Sequence, residues 1–363
     1  MHYKVFTKKA FLIYVLRKEL RKGMMEAHPN LWGLLQKKSR NISGITNVTV
    51  LTSPFPDGQK FSCRHNCYYC PNEPAHEGNK WQAQPRSYLY EEPAVQRANT
   101  HKFDAYDQVT DRLGSLLMMG MEIDKLEIII EGGTYTEYPT EYLKRFHRDL
   151  FYAANVFFNE TKRERMSLQA EMQINISAQV RIIGICIETR PDAISDDWIR
   201  FFRYSGTTRV QMGVQHLRDD ILELINRGHT LQQAVDTMKR LKDNCFKVDI
   251  HIMPDLPGAS PAADMLMFDQ LFKTDILQPD QVKIYPCSVV PWTMIEKWHK
   301  SGKYVPYGGS EKGDNRKLTL VIKYAMMITP PWIRLPRVIR DIPIGYISGG
   351  CQRPDMRDVI NKS

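Results

Sequence analysis

Six short runs rich in β-branched and apolar residues recur along the chain, each followed by a segment with helical spacing: 45–53 (ITNVTVLTS), 125–133 (KLEIIIEGG), 181–189 (RIIGICIET), 209–216 (RVQMGVQH), 247–255 (KVDIHIMPD) and 281–289 (QVKIYPCSV). Parallel strands need a long crossover between them, usually a helix, so this alternation points to parallel β/α architecture. The intervening helices carry recognisable ends. One runs from Tyr106 to Met119 and is closed by Gly120; another starts at Ser195, an N-cap followed by Asp196 and Asp197, and carries Trp198, Ile199 and Phe202. Later helices are expected over ILELIN with LQQAVDTMKRLK, over ADMLMFDQLFK, and over MIEKWHKSG. Six strands are too few for a closed eight-stranded barrel. The expected fold class is α/β, a partial (β/α)6 TIM-like barrel whose strand ends gather around one cavity.

The flanks read differently. Residues 8–40 have a helical pattern, with Leu12, Val15, Leu16 and Leu20 at three-to-four spacing and Leu31, Leu34 and Leu35 after Pro29. Past the sixth strand come a helix over RKLTLVIKYAMMI and the extended WIRLPRVIRDIP. The expected organisation is a basic N-terminal helical extension over 1–42, a barrel over 43–300, and a C-terminal helix and extended segment packing on it over 301–363. No uninterrupted apolar stretch approaches the ~20 residues that cross a bilayer. AFLIYVL, between Lys9 and Arg17, is too short for a signal peptide and runs into further basic residues. The reading is a cytoplasmic protein with no membrane partner.

Chemistry enters at CRHNCYYC. Three residues separate Cys63 from Cys67 and two separate Cys67 from Cys70. Thiolates are soft ligands that iron–sulfur clusters and zinc select, and such gaps let one loop wrap one polynuclear centre. With three clustered cysteines, a fourth iron stays open to a substrate. The alternative is a zinc site completed by His65 or His76. The other four cysteines, Cys186, Cys245, Cys287 and Cys351, are scattered, so a disulfide framework is not expected and the compartment reads as reducing.

A CxxxCxxC directly after a first barrel strand resembles the radical S-adenosylmethionine (SAM) enzymes. Within that superfamily the chain is similar to the radical SAM half of the Elongator catalytic subunit, a tRNA wobble-uridine modifying enzyme, from SGI near residue 43 to about residue 350. The stretches that carry the similarity are CYYCPNEP, SYLYEEPAVQRANTHKFDAYDQVTDRL, EGGTYTEYPTEY, GICIETRPD, GVQHLRDDIL, NRGHT, HIMPDLPG, KIYP and PPWIRLPRVIRDIP. The resemblance implies a 4Fe-4S cluster on Cys63, Cys67 and Cys70, SAM bound at its open iron, and reductive cleavage of SAM to a 5′-deoxyadenosyl radical. It implies that Gly132, Gly133 and Thr134 meet the methionyl amino group, that Glu188 and Arg190 hold amino-acid and ribose groups unless they pair with each other, and that Gln215 bonds the ribose. His251, Asp255, Lys283 and Tyr285 fall near the same mouth by strand register. Lys283, a charge in an otherwise apolar strand, must meet a cavity or a partner, and with Tyr285 it is the first choice for a catalytic role.

The implied activity is a tRNA-modifying transferase of acyltransferase type acting on carbon 5 of the wobble uridine. The formal net charge of +9 fits a polyanionic partner, and Lys18, Arg21, Lys22, Lys37 and Lys38 in the basic extension are candidate tRNA contacts. Two departures from the Elongator pattern stand out. The gap between the first two cluster cysteines is typically longer in that family. Its acetyltransferase domain has no counterpart after Gly350, which leaves the use of acetyl-CoA open and invites a donor supplied in trans, by Elongator-like subunits or an acetyl-CoA-binding protein. Radical SAM chemistry on another substrate, or a non-catalytic tRNA-binding scaffold, are the alternatives.

Overall fold

The computed structural model describes residues 9–23, 43–309 and 315–362. Six strands, β1 Thr46–Leu51, β2 Lys125–Glu131, β3 Arg181–Thr189, β4 Arg209–Gln215, β5 Lys247–Ile252 and β6 Gln281–Ile284, form one sheet in the order 1-2-3-4-5-6. Every neighbouring pair is parallel. Because each crossover joins adjacent strands, the sheet curls in one direction into a half-barrel.

Several strands stop earlier than their sequence suggests. β6 ends at Ile284 because Pro286 cannot donate to a ladder, although Tyr285 N still bonds Ile252 O at 2.8 Å. The residues beyond it turn over the strand ends instead of prolonging the strand. The open edge of β6 is covered by the extended C-terminal segment, through parallel bridges Gln281 to Arg334 and Ile284 to Val338.

Side chains alternate between two environments along each strand. Leu126, Ile128 and Ile130 of β2, Val210, Met212 and Val214 of β4, and Val248, Ile250 and Ile252 of β5 are all buried. They form one core with Leu113, Leu143, Phe202, Leu241 and Phe268 of the surrounding helices. Among the alternate positions are the polar residues Glu127 and Glu131 of β2, Gln211 and Gln215 of β4, and Asp249 and His251 of β5. Arg209 bridges Glu127 at 3.2 Å and Asp249 at 3.0 Å, joining β4 to β2 and β5 across the floor of the half-barrel.

Helices at Pro93–Thr100, Thr140–Asn155 and Leu168–Asn175 add to those read from sequence. The second buries Leu143, Phe146 and Leu150 at helical spacing. The N-terminal helix, Lys9–Arg21, packs on the helix Ala105–Met118, but its buried residue is Ile13, whereas Leu12 and Val15 are exposed. The stripe expected through Leu12 and Val15 is therefore rotated: the inward face runs through Ile13, with Arg17 lying over Gly120. The helix expected around Leu31, Leu34 and Leu35 lies outside the described residues.

Candidate active site

The loop after β1 brings the three cysteines to the C-terminal mouth of the half-barrel. It is pinned at several points. Thr134 N, just past β2, bonds Ser62 O at 2.9 Å, Cys70 N bonds Cys67 O at 3.1 Å, and Tyr68 N bonds Ile225 O at 2.9 Å. Thr134 Oγ1 donates to Cys63 Sγ at 3.0 Å. Cys67 Sγ accepts from Arg190 Nη1 at 3.4 Å and from Arg227 Nη1 at 3.5 Å. Burial opposes ionisation of Cys67, but the charges and hydrogen bonds of Arg227 and Arg190 outweigh it and hold the thiol below its ordinary value. Burial raises Cys70, against the pull of Arg86.

Cys63, Cys67 and Cys70 line one cavity with Gly132, Gly133 and Arg190. Among the described residues no three His, Cys, Asp or Glu side chains form a group that could hold one metal ion. A cubane spreads its thiolates over separate irons, so the set suits a cluster better than mononuclear zinc. His76 is engaged elsewhere, with Glu73 at 3.0 Å, and His65, although on the cavity wall, faces Glu137 at 3.8 Å.

Gly132 and Gly133 are required by the chain's own packing. A Cβ on Gly133 would lie 2.0 Å from Ser62 O, and Gly132 has φ +155 with its missing Cβ 2.0 Å from Thr52 Oγ1. These glycines let the end of β2 press against the cysteine loop. Gln215, at the end of β4 with φ +74, carries a buried Oε1 without a hydrogen-bond partner. That orphaned acceptor on the wall of the cysteine cavity fits a hydroxyl donor such as a ribose.

A second cavity adjoins the first, and Tyr69, Ser87, Glu188, Gln215 and His251 line both. Its further walls include Tyr88, Glu131, Tyr285, Arg337 and Arg340. Strand register sets Glu188 beside Gln211 and His251 beside Lys283, two residues further along, and His251 Nε2 lies 3.0 Å from Gln211 Oε1, so side chains of four adjacent strands join in one polar belt. Lys283 Nζ donates to Gln211 Oε1 and lies 3.5 Å from Glu188 Oε1, and Tyr88 OH donates to Glu188 Oε2 at 2.7 Å. Tyr285 lines the cavity, while Lys283 is engaged by this belt.

The belt separates protonation states. Burial, and then the charge of Glu188, pushes the Glu131 carboxyl up to about 7. Burial, and then Lys283, drives His251 down to about 3, so its imidazole is neutral. Burial works against the Glu188 carboxylate, but the Lys283 ammonium and the Tyr88 hydrogen bond hold it below the ordinary value. Burial likewise opposes the Lys283 ammonium, which the Glu188 carboxylate 3.5 Å away nonetheless helps keep charged.

Not every expected residue reaches the mouth in the expected way. Glu188 and Arg190 do not pair with each other: Arg190 makes a two-point ion pair with Asp192, 3.0 Å at each bond, and turns to Cys67. Asp255 instead accepts from Tyr307 N and Gly308 N, both at 2.8 Å, and organises the segment beyond β6. Lys18 on the N-terminal helix and Lys22 just past its end are exposed. Lys37 and Lys38 lie outside the described residues, as does the side chain of Arg21. The structure adds Arg86, Tyr88, Glu131, Arg227, Arg337 and Arg340. Arg227 stands in NRGHT and the last two in PPWIRLPRVIRDIP, stretches to which sequence alone gave no role.

A parallel half-barrel with three cysteines after its first strand is the architecture of a radical SAM protein. Residues 61–266 match the radical SAM superfamily and residues 279–363 a radical SAM C-terminal domain, and the chain belongs to the radical SAM superfamily. Its cofactors are accordingly a 4Fe-4S cluster and SAM.

Within the superfamily the chain is similar to the tRNA uridine(34) acetyltransferase of Dehalococcoides mccartyi, with 38% identity over 90% of this chain and 66% of that protein. It is also similar to Elongator complex protein 3 of Bos taurus, with 32% identity over 90% of this chain and 57% of that protein. The solved structure of archaeal Methanocaldococcus infernus Elp3, with its N-terminus deleted, superposes with a TM-score of 0.71 at 32% identity, covering 88% of this chain and 62% of that one. The chain thus spans roughly three fifths of the length of these relatives.

Proposed function

We propose that this protein is an Elongator-like radical SAM transferase acting on carbon 5 of the wobble uridine of tRNA. What supports this most directly is a polar cavity that shares a wall with the cysteine cavity, in a chain similar over 90% of its length to a protein named tRNA uridine(34) acetyltransferase. When bound, the cluster and SAM supply an electron and a 5′-deoxyadenosyl radical able to abstract hydrogen. The residues of the chain do the rest. Cys63, Cys67 and Cys70 hold the cluster; Gly132, Gly133, Thr134, Glu188, Arg190 and Gln215 hold SAM; Tyr285, on the wall of the adjoining cavity, meets the substrate, and Lys283, behind that wall, holds Glu188 in place. Glu131, near neutrality in its proton affinity, is suited to move a proton there.

The basic segment 1–42, with Lys18, Arg21, Lys22, Lys37 and Lys38, is the proposed tRNA contact, set on the barrel of 43–300, and the segment 301–363 closes its open side. No helix among the described residues is long and apolar enough to cross a membrane, and a cytoplasmic tRNA substrate agrees with this. The experiment is anaerobic cluster reconstitution followed by assay of 5′-deoxyadenosine from SAM and dithionite, with and without bulk tRNA, in wild type and Cys67→Ala. Product stimulated by tRNA and lost in the variant is expected. A protein that holds the cluster yet yields no product under any condition would overturn catalysis and leave a binding role.

A further inference from the structure

Three successive residues beyond β4 grip three successive residues of the cysteine loop. Ile225 O accepts from Tyr68 N at 2.9 Å, Asn226 Nδ2 donates to Asn66 O at 2.8 Å, and Arg227 Nη1 donates to Cys67 Sγ at 3.5 Å. Asn226 has φ +53, a left-handed conformation that asparagine tolerates better than most residues. That turn aims all three groups at the loop.

Arg227 is 5% exposed. Its other hydrogen bonds go to Gly213 O at 2.6 Å and His229 Nε2 at 3.1 Å, neither of them a carboxylate. A Cβ at Gly213 would stand 2.8 Å from Arg227 Nη2, so the slot is cut to admit this side chain. Arg190, the other donor to Cys67, is neutralised by its two-point pair with Asp192. Burying an arginine without bonding it to a carboxylate is costly unless another anion balances it. The nearest anionic atom in its bonding sphere is the Cys67 thiolate, a ligand of the cluster.

We propose that Arg227 is a positioning residue that sets the reduction potential of the cluster, holding it higher than the three thiolates alone would allow. Hydrogen bonds and positive charge at a ligating sulfur stabilise the more negative, reduced state more than the oxidised one. The step is a single electron passing from a low-potential one-electron donor into the cluster, with no bond made or broken. The proposal does not depend on which substrate the enzyme modifies.

The test is a redox titration of the anaerobically reconstituted full chain with dithionite, without SAM, read by the electron paramagnetic resonance of the reduced cluster. Iron per chain is measured alongside. In Arg227→Met the ratio of reduced to oxidised cluster at the wild-type midpoint is expected to fall about tenfold, equivalent to about 59 mV for one electron. Arg227→Gln, which keeps an N–H donor but loses the charge, is expected to fall in the same direction. The control is Lys239→Met, which removes an equal charge from an exposed helix face where Lys239 pairs with Asp243, and it should leave the midpoint in place. An unchanged midpoint in an iron-replete Arg227 variant overturns the proposal, as does an equal shift in the control. Loss of iron in both Arg227 variants overturns it in favour of a role in cluster assembly alone.

Discussion

Lys283 on β6 lies 3.5 Å from Glu188 on β3, with two strands of the sheet between them. Only the curl of the half-barrel makes this possible, and the contact ties the open end of the sheet to its middle. Replacing Lys283 with Met would leave the Glu188 carboxylate buried without its main counter-charge. Breaking such a pair from one side costs about 3–5 kcal/mol; with Tyr88 and His251 still near Glu188, a loss near about 3 kcal/mol is expected in urea unfolding. The double variant Lys283→Met, Glu188→Gln should recover part of it. Strict additivity in that cycle would show that the two residues do not act as a pair.

Gln215 gives a prediction about SAM. Its buried Oε1 lacks a partner, so a ribose hydroxyl donating to it would satisfy an acceptor already paid for in desolvation. Gln215→Ala is expected to weaken SAM binding about tenfold, in line with one hydrogen bond of roughly 1–1.5 kcal/mol, with iron content unchanged. Equilibrium dialysis of SAM against the reconstituted protein reads this. Equal affinity in variant and wild type would remove Gln215 from the SAM site.

The alternation of the strands and the cysteine spacing were legible from the sequence because both are local: period-two burial and a short loop are written in consecutive residues. The helix Thr140–Asn155 was not read from sequence although Leu143, Phe146 and Leu150 stand in it at helical spacing, because the aromatic and glycine-rich EGGTYTEYP ahead of it reads as loop. The inward belt was only half visible. Lys283 stands out as a charge among apolar residues, yet in VDIHI of β5 the same alternation puts Asp249 and His251 on the inner face, beside Lys283. Arg227 could not be placed from sequence, because its role depends on Asn226 turning left-handed and on a contact with a residue 160 positions away. Leu12 and Val15 misled for a different reason. A short amphipathic helix offers several overlapping three-to-four stripes, and tertiary packing selected the one through Ile13.

Lys18 and Lys22 are the described members of the basic segment proposed to meet tRNA, and both are exposed. Phosphate contacts contribute counterion release, so their loss should reduce affinity at every tRNA sequence and flatten its dependence on salt. In the double variant Lys18→Glu, Lys22→Glu, the slope of log affinity against log salt is expected to fall by about two, one per phosphate contact. Filter binding with bulk tRNA over a range of potassium chloride measures it. An unaltered slope would assign these lysines to solvent alone.

Glu131 makes stability depend on pH in a direction opposite to that of an ion-paired carboxylate. Burial, and then Glu188, raises its folded value to about 7 from an ordinary 4.5. The folded protein therefore keeps the proton where the unfolded chain has released it. By linkage, the contribution of the neutral form is complete below about pH 4.5 and is lost as pH climbs through about 7. Glu131→Gln stays neutral throughout, so its stability relative to wild type should be level below about pH 4.5, rise between about 4.5 and 7, and flatten toward pH 8. Urea unfolding of both proteins at pH 5, 6, 7 and 8 isolates the effect, because every other titrating group is common to the two. Parallel curves would mean that Glu131 is ionised in the folded protein across this range, and would leave the cavity without a carboxylic acid able to donate near neutral pH.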